Sequence, residues 1–258
     1  MRLERALLLP AFLSAAACIQ GQRVVKVNLD GSGTIVDTVA LTEQARGMLS
    51  SLEQMDKTSP AEKNAKKETK LKAAAATMGE GVSFVSLVAG KDGSEKITYA
   101  FRDVTKLKID WAPSPSDNDA KPANNDVSFR FQRGGASSTL TVVQAHKPEK
   151  KDAVAKAKPT PQEMAQQAAM MREMMAGLKL SGVLEVNGRL LKTNSPYATG
   201  SRVTLLEIDF DQVAVDPASM AKLAEIDNPA KADPKLMAGV KGLKVNTLPE
   251  LNIEFVAK

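Results

Sequence analysis

The chain has 258 residues, a formal net charge of +5, 43% apolar and 4% aromatic residues, one cysteine and one histidine. That length and apolar content can supply a sizeable core, built from Leu, Val, Ile and Met rather than from rings. With Cys18 and His146 alone of their kinds, a disulfide framework and most metal or triad schemes are excluded. The mild basic excess lacks the interleaved aromatics of a nucleic-acid surface.

The N-terminus carries the most specific signal. Arg2 and Arg5 precede an apolar run from Ala6 to Ala17, and Ala15, Ala16 and Ala17 abut Cys18. This is the pattern of a bacterial lipoprotein signal peptide over 1–17, with a thiol that is diacylated before cleavage. As a helix the apolar run rises only ~18 Å, against a hydrocarbon core of ~30 Å, so it does not read as a membrane span. Ordinary secretory cleavage after the same alanines is the rival reading. Ile19 stands where an aspartate would retain an acylated protein at the inner membrane, so the outer membrane is the favoured address. A soluble periplasmic or secreted protein is the alternative.

Downstream, period-two alternation begins at Arg23. Val25, Val27 and Leu29 share one face, Asp30-Gly31-Ser32-Gly33 turns the chain with positive φ at its glycines, and Ile35, Val39 and Leu41 follow. A helical insert is expected over 42–78. Its first part carries Met48, Leu49, Leu52 and Met55. Its second opens on Ser59 as cap, with Pro60 and Glu62 behind it. The five lysines between Lys63 and Lys72 predict a solvated helix that projects or frays. Strands are expected at Phe84–Ala89, around Ile97, Tyr99 and Phe101, over Leu107–Trp111, around Val127, Phe129 and Phe131, and over Leu140–Val143. Asp117, Asp119 and Asp126 fall in a Pro/Ser/Asp/Asn loop and read as solvated.

Residues 145–161 are rich in Lys, Ala and Pro and read as a linker, with His146 at its start. They divide a β-rich part, 18–144, from a second part, 162–258. The second part opens on a methionine helix, Gln162 to Leu178. Met164, Met171, Met175 and Leu178 form a stripe that Met170 and Met174 broaden, giving either a core helix or an adaptable hydrophobic binding surface. A hairpin through Asn187-Gly188, a strand Val203–Phe210, short helices near Pro217 and Pro234, and a terminal strand through Leu251, Ile253 and Phe255 complete the chain. The expected fold is α+β: antiparallel hairpins with helices on one face, the terminal strand completing the same sheet.

The order of leader cysteine, early strand, Asp30-Gly31-Ser32-Gly33 and Ile97-Thr98-Tyr99-Ala100-Phe101-Arg102-Asp103-Val104 resembles uncharacterised bacterial envelope lipoproteins, loosely the LppM-like group. The resemblance implies a small α+β domain that contacts lipids or glycolipids, and it carries no catalytic motif.

No nucleophile elbow, phosphate loop, dinucleotide fingerprint or His/Cys metal spacing occurs, and no cofactor is implied. Glu185, Glu207, Asp209 and Asp211 are the acids nearest strand ends, and paired carboxylates are the one catalytic scheme left to test. The expectation is therefore a lipid-anchored envelope protein without catalytic chemistry, attached to the membrane through acyl chains on Cys18 and binding lipid, glycolipid or another envelope protein. A structural scaffold and a secreted hydrolase are the alternatives.

Overall fold

The computed structural model describes residues 19–42, 46–47, 58–90, 92–111, 127–144, 166, 169–170, 172, 175–224 and 239–257. Cys18, His146, the loop acids Asp117, Asp119 and Asp126, the apolar positions Met48 to Met55 and the 145–161 segment lie outside them.

Strands β1 (Ile19–Val27) and β2 (Gly33–Leu41) form the first hairpin, with Val25 opposite Ile35. Asp30 builds its turn: Oδ1 accepts from the Ser32 amide (3.0 Å) and hydroxyl (2.7 Å), and Gly31 takes φ 86°. The same Asp-Gly-Ser device recurs at Asp92, Gly93 and Ser94, between β3 (Ser83–Ala89) and β4 (Glu95–Phe101). Gly33 does not take the expected positive φ. It is small for another reason, because a Cβ there would lie 1.9 Å from the Lys26 carbonyl oxygen.

Two sheets form. The larger runs from β11 (Leu243–Val245) through β10 (Arg202–Asp209), β7 (Lys179–Val186), β1, β2 and β4 to β3, with β9 (Ala198–Thr199) on β10. The smaller has the order β5-β6-β12-β8, from β5 (Val127–Arg133), β6 (Ser138–Gln144), β8 (Arg189–Thr193) and β12 (Glu250–Val256). The terminal strand pairs with β6, from the β-rich part, and with β8. The sheets are antiparallel except where β7 (Lys179–Val186) lies parallel to β1. That exception follows from connectivity: no hairpin links these two strands, so none imposes opposite directions.

The Asn187-Gly188 hairpin is also corrected. A two-residue type I′ turn requires positive φ at both central residues, and neither has it. The dipeptide instead carries the chain from one sheet to the other. Asn187 donates to the Val27 carbonyl (2.8 Å), and a Cβ on Gly188 would meet the Val256 carbonyl oxygen at 2.0 Å. Only glycine fits that crossing.

Both sheets contribute to one apolar core. Val25, Val27, Ile35, Tyr99 and Leu184 come from the larger, and Leu140, Val142, Leu251, Ile253 and Phe255 from the smaller. Alternation places these residues on inward faces, as the period-two pattern predicts. The segment expected as a strand over Leu107–Trp111 joins neither ladder beyond one bridge, Gly79 to Leu107. It keeps its alternation, burying Leu107 and Ile109, but follows a 3₁₀ turn at Val104–Lys106.

Helix α1 (Pro60–Thr77) has the expected capping box. Ser59 Oγ accepts from the Glu62 amide, and the Glu62 carboxylate accepts from the Ser59 amide at 3.1 Å. Its lysine-rich face is largely exposed, but its second half docks: Leu71 and Ala75, one turn apart, enter the main core, and Lys67 pairs with Glu95. A smaller cluster forms around α2 (Phe210–Val215), α3 (Pro217–Ala224) and β11 (Leu243–Val245). Leu178, Phe210, Val213, Met220, Val240 and Leu243 are its buried members.

Candidate functional site

The outward face of the larger sheet carries a groove of about 420 Å³ at the end where β1 begins. Gln20 lies between Ala40 of β2 and Lys179 of β7; Gln22 lies between Thr38 and Ser181. Across β7, Lys179 faces Asp209 and Ser181 faces Glu207 of β10. These positions have the strand parity opposite to Val25 and Leu184, so the burial that turns those residues inward turns these outward. The groove is lined by amides and hydroxyls with charges along one wall.

The charges are matched. Lys179 Nζ lies 3.2 Å from Asp209 Oδ2, and Lys244 Nζ lies 2.9 Å from Glu207 Oε1. Burial alone would push the Asp209 carboxyl up. Hydrogen bonds from Lys179 and Gln212 outweigh it and leave the group below its ordinary range. Asp209 also caps α2 through the Gln212 amide at 3.3 Å. Glu185 sits 3.2 Å from Lys26 and 3.7 Å from Arg202. Asp211 accepts from the Gly177 amide at 2.8 Å.

The four acids singled out in the sequence thus fall on β7, β10 and the start of α2, with Lys179 4.0 Å from Asp211. They are arranged as ion pairs and caps. A general acid near neutrality needs a carboxyl pKa raised by burial or by a like charge. Among the described residues, the displaced carboxyls Asp30, Asp92, Asp209 and Asp216 are all displaced downward.

Of the methionine-helix residues, Met164, Met171 and Met174 lie outside the described residues. Met170 is 64% exposed, Met175 packs half-buried against the smaller cluster, and Leu178 is buried in it. The helix ends beside β2, since a Cβ on Gly177 would lie 3.0 Å from Thr42 Cγ2.

One constellation was missed in the sequence. Arg23 and Asp37, opposite one another in the β1–β2 register, are buried at 6% and 4% exposure. Arg23 donates from Nε to Asp37 Oδ1 (2.7 Å), from Nη2 to Oδ2 (2.6 Å) and from Nη1 to the Asp110 carbonyl (2.8 Å). Burial would lower the Arg23 pKa, but the Asp37 carboxylate more than offsets it and holds the guanidinium charged. Gly182 opposite leaves room for the Leu107–Trp111 segment to pass, because a Cβ would stand 2.5 Å from the Trp111 carbonyl oxygen. The signal was parity: Arg23 has the parity of Val25, and Asp37 that of Ile35, so both had to face the core.

Among the described residues no helix is long and apolar enough to cross a membrane, and no three His, Cys, Asp or Glu side chains are placed to hold a metal ion. Comparison with protein-family models, with curated proteins and with solved structures finds no match to this chain.

Proposed function

We propose that the protein is a lipid-anchored component of the bacterial cell envelope, attached through acyl chains on Cys18, and that it binds a lipid or glycolipid headgroup rather than catalysing a reaction. The observation that carries the reading is the position of the groove relative to that cysteine. Its lining begins at Gln20, two residues from Cys18 in the sequence, and sets the neutral polar side chains of Gln20, Gln22, Thr38 and Ser181 beside the charged Lys179, Glu207 and Asp209. Such a surface suits hydroxyl-rich headgroups, which are recognised by convergent amides and hydroxyls rather than by a single charge. The cation pairing of Glu185, Glu207 and Asp209 speaks against hydrolysis by paired carboxylates.

Radiolabelled palmitate tests the anchor. The wild type should incorporate it and fractionate with membranes, while Cys18→Ser should do neither. Native mass spectrometry of membrane-purified protein tests the ligand. The wild type should retain a lipid that Ser181→Trp, which fills the groove from an outward-facing position, does not retain. Equal labelling of the Ser variant, or equal retention by the Trp variant, contradicts the corresponding half of the proposal.

A further inference from the structure

The structure describes β1 from Ile19 onward, and this strand lies inside the larger sheet, between β2 and β7. In the sequence Cys18 immediately precedes Ile19, the first residue of β1. No spacer therefore separates an anchor at Cys18 from the sheet. Most tethered domains can tumble above a membrane on a linker; this one has no length in which to do so.

From these positions we infer that the β1 start lies directly on the bilayer, with a defined end of the sheet as its membrane-facing surface. The inference rests on the acylation of Cys18 proposed above. The occupant of the surface is the lipid layer that holds those acyl chains.

The same end carries exposed apolar side chains. The register puts Leu41, Lys179 and, across β7, Asp209 level with the first residues of β1, and α2 starts directly after Asp209. Val215, the last residue of α2, is 82% exposed. On β3, Val88 is 56% exposed and pairs with Lys96, next to the Glu95–Val39 pair at this end. Val215 and Val88, two of the five exposed large hydrophobics among the described residues, thus belong to one end of the sheet. Amphipathic surfaces seat such residues at the boundary between headgroups and acyl chains.

The opposite end is set by the length of β1. Nine residues at ~3.3 Å each put Val27 and the Asn28–Ser32 turn ~26 Å farther from the membrane. Arg189 marks that end: it is exposed, and it follows Asn187 and Gly188, where Asn187 donates to Val27.

The test uses the full mature chain, in which acylation consumes the Cys18 thiol and leaves an introduced cysteine free for labelling. Val215→Cys and Arg189→Cys are labelled with an environment-sensitive fluorophore and reconstituted into phosphatidylethanolamine/phosphatidylglycerol vesicles carrying a lipid-attached quencher. Val88→Cys stands in for the near end should Val215→Cys fold poorly. The near-end label should be quenched at least twofold, and the Arg189 label by less than a fifth. Intact mass is measured on the same samples. An acylated chain quenched equally at both ends, or more at Arg189, overturns this inference and leaves the anchor standing. An unacylated chain overturns the anchor and the inference together.

Discussion

Removing one member of the Arg23–Asp37 pair should destabilise the protein far more than removing both. In Arg23→Met the aliphatic stem is kept, but the Asp37 carboxylate stays at 4% exposure with its two guanidinium hydrogen bonds gone. The Asp110 carbonyl loses its donor from Arg23 as well. An uncompensated charge at such a depth costs about 3–5 kcal/mol, whereas replacing a whole buried pair with apolar groups of similar volume is often near neutral. The double variant Arg23→Met/Asp37→Leu should therefore recover at least about 2 kcal/mol relative to the sum of the single variants. Urea unfolding at pH 7 reads this directly. With a slope of about 2 kcal/mol per molar, the single variant loses about 1.5–2.5 M in midpoint. A single-variant cost below about 1 kcal/mol, or strict additivity in the double, would show that the pair is neither desolvated nor coupled.

Three further outcomes follow from the geometry. Gly188→Ala should cost about 1–3 kcal/mol, because its Cβ meets the Val256 carbonyl oxygen at 2.0 Å, while Gly135→Ala, with nothing within 4 Å, should be nearly silent in the same titration. Leu178→Ala should cost about 2–5 kcal/mol by emptying part of the smaller cluster, and Met170→Ala should stay within about 0.5 kcal/mol. Stability should be fully present above the ordinary aspartate pKa of about 4 and should fall as the pH drops below it. There the unfolded chain takes up protons that Asp30, Asp92, Asp209 and Asp216 still resist, because hydrogen bonds hold those groups low. Thermal melts from pH 7 to pH 2 check the direction, and Ser32→Ala with Ser94→Ala should make the acid limb shallower.

The alternation at Val25, Ile35, Tyr99 and Phe255 was legible because a half-buried strand must repeat every two residues, whatever it pairs with. The Ser59 capping box and the Asp30 turn were legible because local hydrogen bonds specify both. Pairing between distant segments was not legible. Asn187-Gly188 has the composition of a hairpin turn, and only the approach of Val256, nearly 70 residues away in sequence, shows why the glycine is there. Likewise Leu107, Ile109 and Trp111 alternate like a strand because they cover the core, yet the inner face they cross leaves them no ladder to join. The lysine helix was expected to project, yet in its second half Leu71 and Ala75 enter the core. Of the candidate site, the acids were visible and their cations were not, since Lys179, Lys244 and Arg202 reach them only through the fold.

Intact mass spectrometry of the protein purified from membranes of its native host tests the central claim most directly. A polypeptide beginning at Cys18 and carrying the added mass of a diacylglycerol is the predicted result. A chain that begins at any other residue, or one that begins at Cys18 with a free thiol, would contradict it.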